Sequence, residues 1–420
     1  MKKIISLILA VMISAMPLLL CSCESEKADS DGKSVTLYVY NWGEYISDGT
    51  DGSMNVNRAF EDYCRETLGI NVKVNYSTYS SNEDLYAKLS SGAVTYDVVI
   101  PSDYMVARLA AEGLLAEIDP EKNIENYKYI DEQFRGLYYD ADEKYSVPYT
   151  FGTVGVIYNS AIIPEDEEDI GSWALLWNED YKGNILQFNN PRDAFGTAQY
   201  YLGHSVNSDD ESEWREALDL LLEQKEVVQG YVMDEVFNKM KGGSAAIAPY
   251  YTGDYFTMYA DNDDLSFFYP KEGTNVFVDA MCIPKNSNNY DLAMEYINFM
   301  LTEEVAVANA EYVCYAWPNV LVRENEDYIS TMTELHPDAI DLLYNFDFDS
   351  MEFFHDLPDK TRSVMNSLWE ELKIESNIGT AIYVICAVIV ACLCGLFIAR
   401  FAIKRRREHY FNKYANGGNQ

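Results

Sequence analysis

Val56, Phe60, Cys64 and Leu68 recur at four-residue steps, which draws an apolar stripe down one side of a helix, and Gly69 is placed to end it. Residues 35–40 read as a strand ahead of that helix. Behind it, Ile70, Val72, Val74 and Tyr76 alternate with polar residues, the period of a strand with one buried face. Ser81 stands where an N-cap belongs, before Leu85 and Leu89. Residues 96–100 form a short apolar run closed by Pro101, the pattern of a buried strand. Helices between strands imply parallel pairing and a covered α/β sheet. The alternation continues: 145–158 extended, 213–223 helical, 245–250 a strand, 290–300 a helix with Leu292, Tyr296 and Phe299 on one side, and 362–372 a helix. The acidic run Glu165-Asp-Glu-Glu-Asp169 reads as a solvated loop.

Both ends of the chain carry long apolar runs. Lys2 and Lys3 precede an almost wholly apolar stretch from 4 to 20, the composition of an export signal over residues 1–22. Leu20-Cys-Ser-Cys23 resembles the bacterial lipobox, which makes Cys23 the lipidated new N-terminus; an ordinary signal peptide with a stray cysteine is the alternative. Residues 23–33 are polar and read as a tether. Residues 379–399 are uncharged, and about 20 such residues are enough to span a bilayer. Lys404-Arg-Arg-Arg407 follows at once. The pattern predicts a transmembrane helix over 379–403, a basic cytoplasmic tail over 404–420, and the large domain outside.

The 420 residues carry a formal charge of −37. Residues 1–23 contribute +2 and residues 379–420 contribute +5, so the stretch between them carries −44. Such a surface repels nucleic acid phosphates and attracts small cations. Of the eight cysteines, Cys21 and Cys23 belong to the signal and Cys386, Cys392 and Cys394 to the second apolar run, so only Cys64, Cys282 and Cys314 remain in the outer domain, too few and too scattered for a disulfide framework. The four histidines show no ligand-like spacing, and no Cys-x-x-Cys is present, so no metal site and no cofactor is expected. No nucleophile elbow or Walker loop appears either, and the expectation is that the chain is not an enzyme.

Residues 34–376 are long enough for two lobes. Asn41-Trp-Gly-Glu-Tyr45 and Ser102-Asp-Tyr104 both fall just past predicted strands, where open α/β sheets hold their ligands. Further on, Phe277-Val-Asp279 again sets an aromatic ring beside a carboxylate. Aromatic faces and acids together suit an organic cation. Each residue also has an ordinary explanation. Trp42 or Phe277 can be core, Asp193 or Asp103 a helix cap, Asp254 a turn residue beside Gly253, and Tyr104 one tyrosine among 34.

An ordered set of segments decides between these readings. Leu37-Tyr-Val-Tyr-Asn-Trp-Gly-Glu-Tyr45, Tyr76-Ser-Thr-Tyr-Ser-Ser-Asn-Glu83, Tyr96-Asp-Val-Val-Ile-Pro-Ser-Asp-Tyr104, Val147-Pro-Tyr149, Ser172-Trp-Ala-Leu-Leu-Trp177, Tyr269-Pro-Lys-Glu-Gly273, Phe277-Val-Asp279, Ile283-Pro284 and Trp317-Pro-Asn319 follow one another across nearly all of 34–376. Together they resemble the bacterial spermidine/putrescine-binding proteins, the extracytoplasmic receptors of polyamine ABC importers. The resemblance implies a two-lobed periplasmic-binding-protein-like (type II) fold with a ligand cleft between the lobes. Lobe 1 would comprise about 34–146 and 280–320, and lobe 2 about 147–279 and 321–376, with crossing strands near 147–157 and 276–284. It also implies that Trp42, Tyr45, Tyr104, Tyr251, Phe277 and Tyr315 supply stacking faces, Glu44, Asp193, Asp254 and Asp279 the amine-binding acids, and Ser102 a polar contact. Asn190 stands where spermidine-type relatives carry a further acid, a glutamine of the family site is replaced around Phe354, and Gly43 is smaller than the usual residue there.

The implied function is a receptor at the extracytoplasmic face of the bacterial membrane that binds spermidine or putrescine and delivers it to ABC permease subunits. A receptor of the same fold for another solute, or a polyamine sensor, is the alternative.

Overall fold

The computed structural model describes residues 34–346, 351–374, 388–390, 392, 400 and 403–405. Strand β1 (Val35–Trp42) lies between β2 (Val72–Tyr79) and β3 (Val98–Val99) and is parallel to both. Helix α1 (Val56–Tyr63) joins β1 to β2 and is capped by Asn55, whose side chain accepts the Arg58 N–H. Val56, Phe60 and Cys64 of its stripe are buried, but Leu68 is exposed. The chain continues from α1 into a π turn at Cys64–Leu68, and the wider turn rotates position 68 off the four-residue stripe. Gly69 ends it at φ 70, a left-handed angle that glycine adopts without strain. Ser81 caps α2 (Asn82–Ser91) through the Asp84 N–H, with Leu85 and Leu89 buried beneath. Residues 96–100 are buried as their apolarity requires, yet only Val98–Val99 pair as strand. Helix α3 (Asp103–Ala111) follows directly.

The second lobe repeats the scheme. Strand β5 (Ile185–Phe188) leads into α4 (Pro191–Leu202), then α5 (Glu211–Gln224), β6 (Val228–Val232), α6 (Glu235–Lys241), β7 (Ile247–Tyr251) and α7 (Thr252–Tyr259), and β8 (Leu265–Phe268) edges the long strand β4 (Ser146–Asn159). The two lobes share the long antiparallel pair β4 (Ser146–Asn159) and β9 (Asn275–Cys282), so the sheet runs β2-β1-β3-β9-β4-β7-β5-β6. Every residue of β9 is buried, and all but Tyr158 of β4. Helices α8 (Tyr290–Met300) and α9 (Glu303–Val313) return to the first lobe, and α10 (Asp359–Ile374) packs on α4 and α5 through Leu368 and Leu372. The loop at 165–169 is not merely solvated: Glu167 accepts the Tyr181 hydroxyl and Asp169 an Asn178 amide.

The expected membrane-crossing helix over 379–403 is corrected here. Among the described residues no helix is long and apolar enough to cross a membrane. Helical residues described in that stretch are 388–390, 392, 400 and 403, and the rest of it lies outside the described residues. Apolarity meets the solvation requirement of a span, but crossing also takes about 20 residues in one unbroken helix that bonds every backbone group internally. Only the first condition can be read from composition. The expected signal (1–22), Cys23 and the tether (23–33) lie outside the described residues, as does the tail from 406 onward.

Candidate functional site

The sheet aims the carboxyl ends of β1, β3, β5 and β7 at one crevice between the lobes. Trp42 ends β1, Ser102 stands at the N-cap position of α3 beyond β3, Asp193 sits in the first turn of α4 beyond β5, and Tyr251 and Asp254 span the junction of β7 and α7. Phe277 and Asp279 face the crevice from β9, and Tyr315 follows α9. Trp42, Tyr45, Ser102, Tyr104, Asp193, Tyr251, Asp254, Phe277, Asp279 and Tyr315 all line one cavity of about 830 Å³, measured to include what opens on solvent. Glu44 does not line it. Its backbone is left-handed (φ 49), which turns its carboxylate out of the cavity while Tyr45 points in. Glu44 lines the outer groove on which the cavity opens, together with Glu83, Asp84, Asp234, Glu235 and Glu370.

The tyrosines do more than stack. The Tyr45 hydroxyl donates to Asp279 Oδ2 at 2.7 Å, the Tyr251 hydroxyl to Asp193 Oδ2 at 2.7 Å, and the Tyr315 hydroxyl to Asp254 Oδ2 at 2.9 Å. Each acid is therefore held in one orientation by a buried phenol. Thr150 bonds the Tyr45 hydroxyl in turn at 2.6 Å, and Asn190 donates to Asp193 Oδ2 at 2.7 Å while also capping α4. The rings form a continuous wall: Tyr45 meets Tyr315 at 4.9 Å, Tyr315 meets Phe277 at 6.3 Å, and Phe277 meets Tyr251 at 5.4 Å. Gly253 makes that wall possible, because a Cβ there would lie 2.2 Å from Tyr315 Cδ2.

Burial dominates the electrostatics. Asp279 is 3 % exposed, and desolvation pushes its carboxyl up to about 6, against the pull of the Ser102 and Tyr45 hydroxyls. Asp254 is pushed up to about 8 by burial, then by the charges of Asp234 and Glu44, with Tyr315 pulling the other way. Burial also raises Asp193, offset by Tyr251, Asn190 and Arg192. Among the described residues Asp279 Oδ1 is buried and has no hydrogen-bond partner. A buried carboxylate oxygen left bare is costly, and a cation in the cavity is the natural remedy.

Asp103 went unassigned beyond a cap in the sequence. It lines the cavity too, yet it is 1 % exposed and takes the Tyr104 and Val278 N–H groups, so its carboxylate pins α3 to β9. Arg192 and Asp234 also line the cavity and carried no signal in composition or spacing. Arg192 is engaged by the fold: it donates to Val206 O, Asn207 Oδ1 and His355 O and lies 4.3 Å over Phe354. Phe354 and Asn190 line the cavity as well.

Comparison with known proteins agrees with this geometry. The profile of the bacterial extracellular solute-binding proteins matches residues 58–332. The spermidine/putrescine-binding periplasmic protein of Salmonella typhimurium is 33 % identical over 332 residues, 78 % of this chain and 89 % of that protein. The putrescine/cadaverine-binding protein of Pseudomonas aeruginosa is 30 % identical over 353 residues, 80 % and 93 % of the two chains. Among solved structures, the substrate-binding protein of the spermidine/putrescine ABC transporter from Streptococcus pneumoniae superposes with a TM-score of 0.64 at 31 % identity, covering 81 % of this chain and 99 % of that one. With its two lobes, its shared strand pair and the cleft between them, this chain belongs to the bacterial extracellular solute-binding proteins.

Proposed function

We propose that the chain is the extracytoplasmic receptor of an ABC importer and that its ligand is a polyamine, spermidine or putrescine. The observation that carries this reading is Asp279 Oδ1: a buried, unpartnered carboxylate oxygen inside an aromatic-walled cavity. A polyamine alternates ammonium groups with methylene runs. Each ammonium needs an anionic acceptor once water is removed, and the methylenes need apolar walls. Asp279, Asp193 and Asp254 supply acceptors; Trp42, Tyr45, Tyr104, Tyr251, Phe277 and Tyr315 supply walls that also attract the charge; Ser102 adds a hydroxyl, and Glu44 negative charge at the mouth. The names of the Salmonella, Pseudomonas and Streptococcus relatives support the same ligand class. A solute bearing a carboxylate fits less well, since Arg192, the one cation lining the cavity among the described residues, is already engaged by three protein acceptors.

Binding closes the lobes over the ligand, and the closed receptor is what permease subunits meet. Isothermal titration calorimetry on the folded chain with spermidine and with putrescine tests the reading. Saturable heat at micromolar protein with either amine is expected. Heat with neither overturns it.

A further inference from the structure

Asp234 occupies the N-cap position of α6 yet makes no cap hydrogen bond. Its carboxylate instead reaches from lobe 2 across the cleft to the turn after β1 in lobe 1. Asp234 Oδ2 lies 2.5 Å from where a Cβ on Gly43 would be. Glycine at 43 is therefore what leaves the carboxylate its place, and any larger residue pushes it aside. The next residue is Glu44, which lines the outer groove with Asp234, whereas Asp234 lines both the groove and the inner cavity. Asp234 from lobe 2 and Glu44 from lobe 1 thus line the same mouth, among the other acids of the groove. Among the described residues no three acids converge as a metal ion would need. Further inside the same cavity stands the unpartnered Asp279 Oδ1, so the interior already awaits one cationic group. Like charges brought together by closure oppose it, unless a cation sits between them.

We propose that Asp234 is a specificity-determining residue, the lobe-2 half of a carboxylate clamp that closes on Glu44 over Gly43 and holds a second ammonium at the mouth while Asp279 holds the first inside. The clamp rests on the reading of the ligand as a polyamine. It requires a cation long enough to reach from Asp279 to the mouth, so the cleft favours a triamine over a short diamine. Burial and the Glu44 charge both hold the Asp234 carboxyl above its ordinary range, in keeping with a group that lacks its counter-ion.

The test is calorimetry with spermidine and with putrescine on the folded chain and on Asp234→Asn, Asp234→Ala, Gly43→Ala and the double variant Gly43→Ala/Asp234→Ala. Asp234→Asn is expected to weaken spermidine at least tenfold and putrescine no more than threefold. Gly43→Ala should weaken spermidine when Asp234 is present and change nothing further when it is alanine. Equal losses for both amines, no loss for either, or the same Gly43→Ala effect in both backgrounds overturns the clamp. Asp234 is exposed as a residue although its carboxylate end is partly shielded in the cleft, so melting temperatures should stay close to that of the unmodified protein, and Gly43→Ala provides the test if an Asp234 variant does not fold. An unmodified chain that binds neither amine overturns the polyamine reading, and the clamp with it. One that binds but ignores Asp234 overturns the clamp alone.

Discussion

Replacing Asp279 with asparagine should weaken the ligand and leave the empty protein no less stable. The side chain is 3 % exposed, its Oδ2 takes the Tyr45 hydroxyl and its Oδ1 takes nothing. Asparagine keeps the shape, and its carbonyl oxygen can still accept from Tyr45, so the amide nitrogen is left facing the cavity. There it presents hydrogens to an ammonium that needs an acceptor. A hydrogen bond to a charged group contributes about 1.5–3 kcal/mol, which at about 1.4 kcal/mol per decade is roughly 10- to 150-fold in Kd. In the empty protein the same substitution removes a buried charge whose desolvation is uncompensated, so unfolding should move to equal or higher temperature. Calorimetry and thermal melting of the empty form provide the two readings. A Kd within threefold of the unmodified protein, or a marked loss of stability without ligand, refutes the reasoning.

The raised carboxyls give a pH dependence of defined sign. Asp279 stands at about 6 and Asp254 at about 8 in the folded protein, against an ordinary 3.8. The empty folded state therefore keeps protons that the unfolded chain has released, and their contribution to stability is full below pH 3.8 and is lost as pH rises through about 6 and 8. These carboxyls alone should make the empty form melt lower at pH 8 than at pH 5, while affinity for polyamine rises over the same interval and binding releases protons; calorimetry in buffers of different ionisation enthalpy measures that release, and flat affinity contradicts it. Gly253→Ala would drive a methyl to within 2.2 Å of a Tyr315 ring that is 2 % exposed and wedged by Tyr45 and Phe277. Overpacking of this kind costs about 1–3 kcal/mol, and urea unfolding should show it together with weaker binding; unchanged stability would mean the ring is free to move. Tyr45→Phe removes the phenol that holds Asp279 and leaves Oδ2 without its donor, so it should weaken polyamine binding severalfold and raise the pH at which binding develops; an unchanged pH profile would count against it.

Much of this could be read from the chain itself. The stripe at 56, 60 and 64, the Ser81 cap and the alternation at 72 and 74 are local patterns, and the fold uses them as written. The cavity lining was legible where aromatics stand at or just past a strand end, as at Trp42 and Tyr45, or where an aromatic and an acid share one face of a strand, as at Phe277 and Asp279. Long-range geometry was not legible. That Tyr45 donates to Asp279 depends on a pairing 234 residues apart, and nothing local to position 45 separates a hydroxyl donor from a stacking face. Nothing local to Asp234 separates it from a helix-capping aspartate, and only the lobe-to-lobe approach at Gly43 distinguishes it. Glu44 is adjacent to the cavity in sequence, but one left-handed residue sends it to the rim. The apolar run at 379–403 reads as a span from composition, but among the described residues no helix is long and apolar enough to cross a membrane.

The most direct test of the account is a crystal structure of the folded chain grown with spermidine. It should show the amine between the lobes, its methylenes against Phe277 and Tyr251, and an ammonium nitrogen about 2.7–2.9 Å from Asp279 Oδ1. An amine bound elsewhere, or seated in the cleft with Asp279 Oδ1 still bare, would contradict it.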